Sequence, residues 1–166
     1  MFKSLVVILF AGIIATSTYG AAQATVHVQP ANLQGSRALQ EQTSSAVIRD
    51  YLQSWKSFGA ALEQNRADLL DSDFVGSAKD QLAATIVQQT KLGMRVRYQD
   101  RSHDIQIVFY SPEGQSVELI DKVEYDVQIL DRDKVTATQR VSGRYIIVLT
   151  PAEVRWRVRV FQEESE

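Results

Sequence analysis

The chemistry open to this chain turns on one carboxylate. From Ser116 to Leu130 the residues Val117, Leu119, Val123, Tyr125, Val127 and Ile129 alternate with Glu118, Lys122, Glu124, Asp126 and Gln128, and Asp121 falls on the apolar side. A carboxyl group held among apolar side chains resists ionisation, which suits it to general acid–base work. His103 is its natural partner. The tightest hairpin registers pair Ile105 with Asp121, Asp121 with Gly143, and Gly143 with Val160. His103 then lies diagonal to Asp121, at roughly 7–8 Å between backbones. Gly143, lacking a side chain, leaves space there, and Tyr145 stands one row away. Such a pair shuttles a proton, while Tyr145 or Tyr51 donates a hydrogen bond to a substrate oxygen. A plainer reading stands beside this one. A β-bulge turns Asp121 outward to join Lys122, and His103, following Arg101-Ser102 at a strand start, is exposed.

Composition closes off other chemistries. The chain has 166 residues, a net charge of -2 and no cysteine. Thiol nucleophiles, disulfides, iron–sulfur clusters and thiolate zinc sites are therefore excluded. Its two histidines, His27 and His103, are far apart in sequence, so neither a metal nor another cofactor is expected. Gly-rich phosphate loops and the HExxH, GxSxG and EF-hand patterns are absent. A near-neutral balance gives no reason to expect nucleic-acid binding.

The elements that must position these residues follow from periodicity. Ile48, Leu52, Trp55, Gly59 and Leu62 recur at spacings of four and three, widened by Val47, Tyr51 and Phe58. This predicts an amphipathic helix over Ala46–Leu62 capped by Ser44 or Ser45. Asn65–Asp71 predicts a short second helix, broken by Asp73-Phe74-Val75-Gly76. A capping box at Ser77–Asp80 opens a third, with Ala78, Leu82, Ile86 and Gln89 as its buried stripe and Gly93 at its end. After Gly93 the period becomes two. Met94–Tyr98, Ile105–Phe109, Ser116–Leu130, Val135–Leu149 and Val154–Val160 read as strands. Connections this short impose an antiparallel meander, apolar on one face. The expected fold class is α+β: N-terminal helices packed on the concave face of a curved antiparallel four- to five-stranded sheet.

The sheet's other face is charged. Glu124 opposite Arg140 is an expected cross-strand pair, and Arg155, Arg157 and Arg159 form a ladder. That ladder is read either as a site for an anionic partner or as a solvated face lined with ion pairs. Tyr110, Ile146 and Val148 are apolar intruders on this face and mark a homodimer patch.

The N-terminus reads as an address. Lys3, the apolar run Leu5–Ala15 and the small-x-small triplet Ala22-Gln23-Ala24 form a secretory signal over 1–24, cleaved before Thr25. The apolar run falls short of the about 20 residues of a membrane span. Retained, it is an inner-membrane anchor and the chain's only membrane contact; removed, the product is periplasmic or secreted. Residues 25–43, with Pro30 and Gly35, read as a flexible linker, 44–162 as the folded domain, and 163–166 as an acidic tail.

The element order resembles the nuclear-transport-factor-2-like superfamily, the cystatin-like cone fold. The likeness is carried by the Ala46–Leu62 helix, the short helix ending in Asp73-Phe74-Val75-Gly76, the third helix and four long strands. It implies a pocket between sheet and first helix, lined here by Tyr51, Trp55, Tyr125 and Gly143. Some relatives, such as the steroid isomerases and scytalone dehydratases, run acid–base chemistry there; in others side chains fill the pocket. No family pattern maps onto definite positions here, so no catalytic role is carried over. Three functions are open. The first is a non-enzymatic exported domain binding a small apolar ligand or a protein partner. The second is a cavity isomerase, dehydratase or cyclase using Asp121 and His103. The third is a membrane-anchored envelope assembly component, similar in order to the periplasmic inner-membrane component of type IV secretion systems.

Overall fold

A computed structural model of the chain describes residues 23–35 and 37–164. The expected signal through Ala22 lies outside them. The elements run β1 (Thr25–Val28), α1 (Glu41–Gln64), a 3-10 turn (Ala67–Leu70), α2 (Gly76–Lys91), β2 (Arg95–Tyr110), β3 (Val117–Asp131), β4 (Lys134–Pro151) and β5 (Trp156–Glu163). The strands form one sheet in the order β1-β2-β3-β4-β5. β2 to β5 are the antiparallel meander that the turn signals predict. This is an α+β fold with the helices on one sheet face.

β1 corrects the linker expectation. Thr25–Val28 pair parallel with Ser102–Ile105. The chain then stays on that edge, with backbone bonds from Gln29, Asn32 and Gln34 to the carbonyls of Ile105, Ile107 and Val108. The free edge of β2 needs partners for its backbone groups, and the Thr-Val-His-Val stretch supplies them. A parallel pair requires a crossover, and the two helices form it. His27 bonds Asp104 at 2.7 Å across this parallel pair.

The first helix begins at Glu41, upstream of the expected serine caps, and Gln40 at its start makes no side-chain cap. Its buried residues are Val47, Asp50, Tyr51, Ser54, Trp55, Phe58, Ala61 and Leu62, with Ile48 and Leu52 only half-buried. The buried stripe is thus centred on the aromatic side. Asn65 ends α1 with a φ of 53°, a left-handed position asparagine tolerates. Gln89 of α2 donates to the Leu62 carbonyl at 2.7 Å and to Asn65 Oδ1 at 2.6 Å, tying the two helix ends together. The predicted stripe of α2 is the observed one: Ala78, Leu82, Ile86 and Gln89 are buried. The capping box does not form. A bridge between Phe74 and Val158 fixes the approach to the helix, which starts at Gly76, and Ser77 Oγ donates instead to the Arg159 carbonyl.

One long strand replaces two predicted ones. β2 continues through Asp100–Ser102 by a bulge and carries a second bulge between Ile107 and Phe109. Each extra residue switches the face on which later side chains lie. The second bulge turns Tyr110 inward, where it is 8% exposed and lies under the Arg37 guanidinium at 4.7 Å. Tyr110 therefore leaves the expected outer-face patch; Ile146 and Val148 remain half-buried.

Candidate functional site

The sheet's concave side brings His103 and Asp121 together as the sequence registers require. Ile105 faces Asp121, and His103, beside Val123, lies diagonal to it. The next register differs. Asp121 faces Tyr145, while Gly143 faces Val123, two residues from its expected place. The β4–β5 pairing ends at Tyr145 and Glu163, before Gly143, and Val148, not Gly143, faces Val160. A Cβ at Gly143 would stand 2.9 Å from the Tyr145 ring and 3.0 Å from Glu163 Oε1. The space glycine leaves is therefore taken by Tyr145 and the end of β5, not by a ligand.

Asp121 is 0% exposed and His103 2% exposed, so neither turns outward. Asp121 Oδ2 accepts from Tyr51 Oη at 2.8 Å and from His103 Nδ1 at 2.6 Å. Its Oδ1 accepts the Asp104 backbone N–H at 3.1 Å. Trp55 Nε1 donates to the Tyr51 hydroxyl at 2.7 Å, which completes a chain of donors from α1 into β3. The far nitrogen of His103 lies 3.8 Å from Asp100 Oδ2.

Electrostatics follow from this geometry. Burial opposes the imidazolium, but the nearby Asp100 carboxylate, the hydrogen bond to Asp121 and the negative charge of both outweigh it, and the His103 pKa is pushed up to about 9. His103 is therefore protonated at neutral pH. Burial and the adjacent Asp121 charge raise the Tyr51 phenol well above its ordinary value, which keeps it a donor. Burial, with Tyr125 next to it, raises Tyr145 likewise; the two hydroxyls are 3.0 Å apart.

Trp55 occupies the middle of the cone. Its ring lies 5.4 Å from His103, 5.8 Å from Tyr125, 5.6 Å from Tyr145 and 5.3 Å from Phe161. Tyr98 stacks on Tyr125 at 4.9 Å. Of the expected pocket residues, Tyr51, Trp55 and Tyr125 are thus brought together, but against one another. Asp100, Tyr98 and Phe161 join the cluster without having been singled out from sequence. Asp100 and His103 are three apart, a spacing that shares a strand face only if the strand is bulged.

Outside this cluster, a groove of about 560 Å³ opens beside His103, lined by Leu52, Lys56, Tyr98 and Asp100 and bordered by Ala24 and Val26. On the outer face Arg101, Arg140 and Arg144 are paired with carboxylates. Asp126, not Glu124, faces Arg140, and it also binds Arg101. Arg144 pairs with Glu164. Arg155 and Arg157 form no ladder: Arg155 holds buried Asp73 at 2.9 Å, and Arg157 reaches the carbonyls of Asp71 and Phe74. Among the described residues no group of three or more acidic, histidine or cysteine side chains could hold a metal. No described helix is long and apolar enough to cross a membrane.

No protein-family model matches the sequence, and no curated protein matches it. Solved structures do. The intermembrane-space region of chloroplast protein ARC6 superposes with a TM-score of 0.63 at 11% identity, over 78% of this chain and 100% of that one. A proposed scytalone dehydratase from Novosphingobium aromaticivorans gives a TM-score of 0.50 at 11% identity, over 76% of this chain and 89% of that one. Identities this low bear on fold alone. The chain has the cone fold of the nuclear-transport-factor-2-like superfamily, a scaffold that carries enzymes and non-enzymes.

Proposed function

We propose that this chain is an exported, non-catalytic domain that acts by binding a protein partner on its surface. One observation carries the reading: Trp55 fills the centre of the cone, 2% exposed and ringed by His103, Tyr125, Tyr145 and Phe161. A substrate or apolar ligand needs that volume, commonly about 300 Å³ or more. The polar network points the same way. Both Asp121 oxygens are engaged internally, and a His103 already protonated at neutral pH cannot serve as a base. The network then serves to seat α1 on the sheet. Export rests on Lys3, the Leu5–Ala15 run and Ala22-Gln23-Ala24.

A second reading has one specific support. His103 borders the groove beside Asp100 and Lys56, so an imidazolium acid could act at the cone's mouth rather than inside it.

Titration with 1-anilinonaphthalene-8-sulfonate and decanoate, read by fluorescence and thermal shift, tests the closed cone. Native protein is expected to bind neither. Trp55→Ala is expected to lose about 3–5 kcal/mol of stability and to gain saturable dye binding. Saturable binding by the native chain, with a Kd on the order of 10 μM or tighter and a raised melting temperature, would overturn the proposal.

A further inference from the structure

The sheet has two exposed edges of very different build. β1 is four residues long and Pro30 follows closely, the short, proline-ended form in which an edge resists further pairing. β4 is 18 residues long, and β5 covers only part of it. Their pairing runs from Pro151 with Trp156 to Tyr145 with Glu163, after which one backbone bond joins Glu164 to the Arg144 carbonyl. From Lys134 to Gly143, β4 is paired with β3 alone. Among the described residues nothing bonds the outer backbone groups of that stretch. Every second residue of an antiparallel strand turns its N–H and C=O away from its one neighbour, so about five residues offer both groups to solvent.

The residues there are those of a paired strand. Val135, Thr136, Thr138 and Val141 are β-branched, and no proline lies between Lys134 and Thr150. Every residue from Lys134 to Arg140 is nevertheless exposed, Val135 at 38%. The devices that blunt an edge are confined to its start. Lys134 stands at the turn, and beside it a bulge leaves Thr136 unpaired, its hydroxyl donating to the Ile129 carbonyl at 3.1 Å.

We propose that a second copy of this chain covers the edge: two β4 strands pair antiparallel over Lys134–Ser142, about a twofold axis at Thr138. The charges select that axis. With Thr138 opposite its own copy, Ala137 meets Gln139, Thr136 meets Arg140, Val135 meets Val141 and Lys134 meets Ser142. No like charges are opposed, and a valine pair lies toward each end. Centring on Ala137 instead sets Lys134 opposite Arg140, whose Asp126 is shared with Arg101 and cannot neutralise both arginines. Centring on Gln139 sets the two copies of Arg140 diagonal to each other, at roughly 7–8 Å between backbones. Faces also match. Thr138 and Arg140 continue the outer face of Gln128 and Asp126, while Ala137 and Gln139 continue the side of Ile129 and Val127. The pairing stops at Ser142, two residues short of the Arg144 carbonyl that Glu164 occupies, so the second copy's turn meets the end of β5 without overlapping it. One strand pair is a small interface, and a Kd on the order of 10–100 μM is expected. A strand from a different protein is the competing occupant, and it would leave the isolated chain monomeric.

Sedimentation equilibrium of the full chain at low salt, from about 5 to 500 μM, is expected to show a monomer–dimer equilibrium. Thr138→Lys sets two ammonium groups opposite each other across the axis and is expected to weaken the dimer at least tenfold; Thr138→Glu does the same with carboxylates. An equimolar mixture of the two variants sets opposite charges face to face and is expected to recover the native affinity to within about threefold. Thr138 is exposed, and unchanged melting temperatures confirm that the variants fold. The chain has no cysteine, so Thr138→Cys supplies a second readout. A short bismaleimide is expected to join two copies through that thiol and not through Lys122→Cys, on the outer face of β3. A chain that stays monomeric to about 500 μM overturns the proposal. So does a dimer that is equally tight in Thr138→Lys, as one built face to face on Ile146 and Val148 would be, or a mixture no tighter than either charged variant alone.

Discussion

His103 and Asp121 form a charged pair inside a core, and the pair's meaning is structural before it is chemical. Removing one member of such a pair leaves the other buried and unsatisfied, which is what makes it costly to break. The pH dependence has a definite sign. The His103 pKa is about 9 in the folded chain against 6.5 for a free side chain. The stability it contributes is therefore complete below about pH 6.5 and lost as pH rises through about 9, roughly 3 kcal/mol in all. Urea midpoints taken at several pH values across that range should fall with rising pH in the native chain. His103→Gln should be less stable at pH 6 and show a flatter profile; a native profile that rises between pH 6.5 and 9 would contradict the assignment.

At the scale of elements, register and bulges decide what the residues meet. The β2–β3 pairing is legible from sequence because a short turn and a continuous apolar alternation leave one solution, with Ile105 opposite Asp121. The β3–β4 pairing slips two residues from the tightest register, and a shift of two preserves faces, so hydrophobicity alone does not detect it. Gly143 consequently belongs to Tyr145 rather than to Asp121. Gly143→Ala should cost about 1–3 kcal/mol, because the new methyl meets the Tyr145 ring at 2.9 Å, with Glu163 close behind. Differential scanning calorimetry measures this, and an unchanged melting temperature would mean that the ring has room to move. Bulges were equally hidden: the one at Asp100–Ser102 is what allows Tyr98 and His103, five residues apart, to face the same interior.

For the whole molecule, β1 lies directly after the cleavage point that the proposed export signal implies. The expected cleavage point lies between Ala24 and Thr25, and Thr25 is the first residue of the edge strand. Cleavage there would remove no strand residue, so a product beginning at Thr25 should keep its sheet intact. Intact-mass measurement of the exported protein is expected to show Thr25 as its N-terminus. A product retaining Lys3 and the Leu5–Ala15 run would instead support an anchored chain whose cone mouth, bordered by Ala24, lies close to the membrane.

The sequence by itself determined the periods: helix then strand, the amphipathic period of the first helix, the stripe Ala78, Leu82, Ile86 and Gln89, and an acid set among apolar neighbours. These are local properties, written in spacings of two and of three to four, and short turns fix the meander that follows. Only the tertiary structure decided that β1 joins the sheet, that Asp121 faces Tyr145, and that an indole stands where a ligand would. Those outcomes depend on the distant pairing of Thr25 with Ser102, on a hairpin register that a shift of two leaves silent in the hydrophobic pattern, and on how large rings share a closed volume, and none of these leaves a periodic trace in the chain.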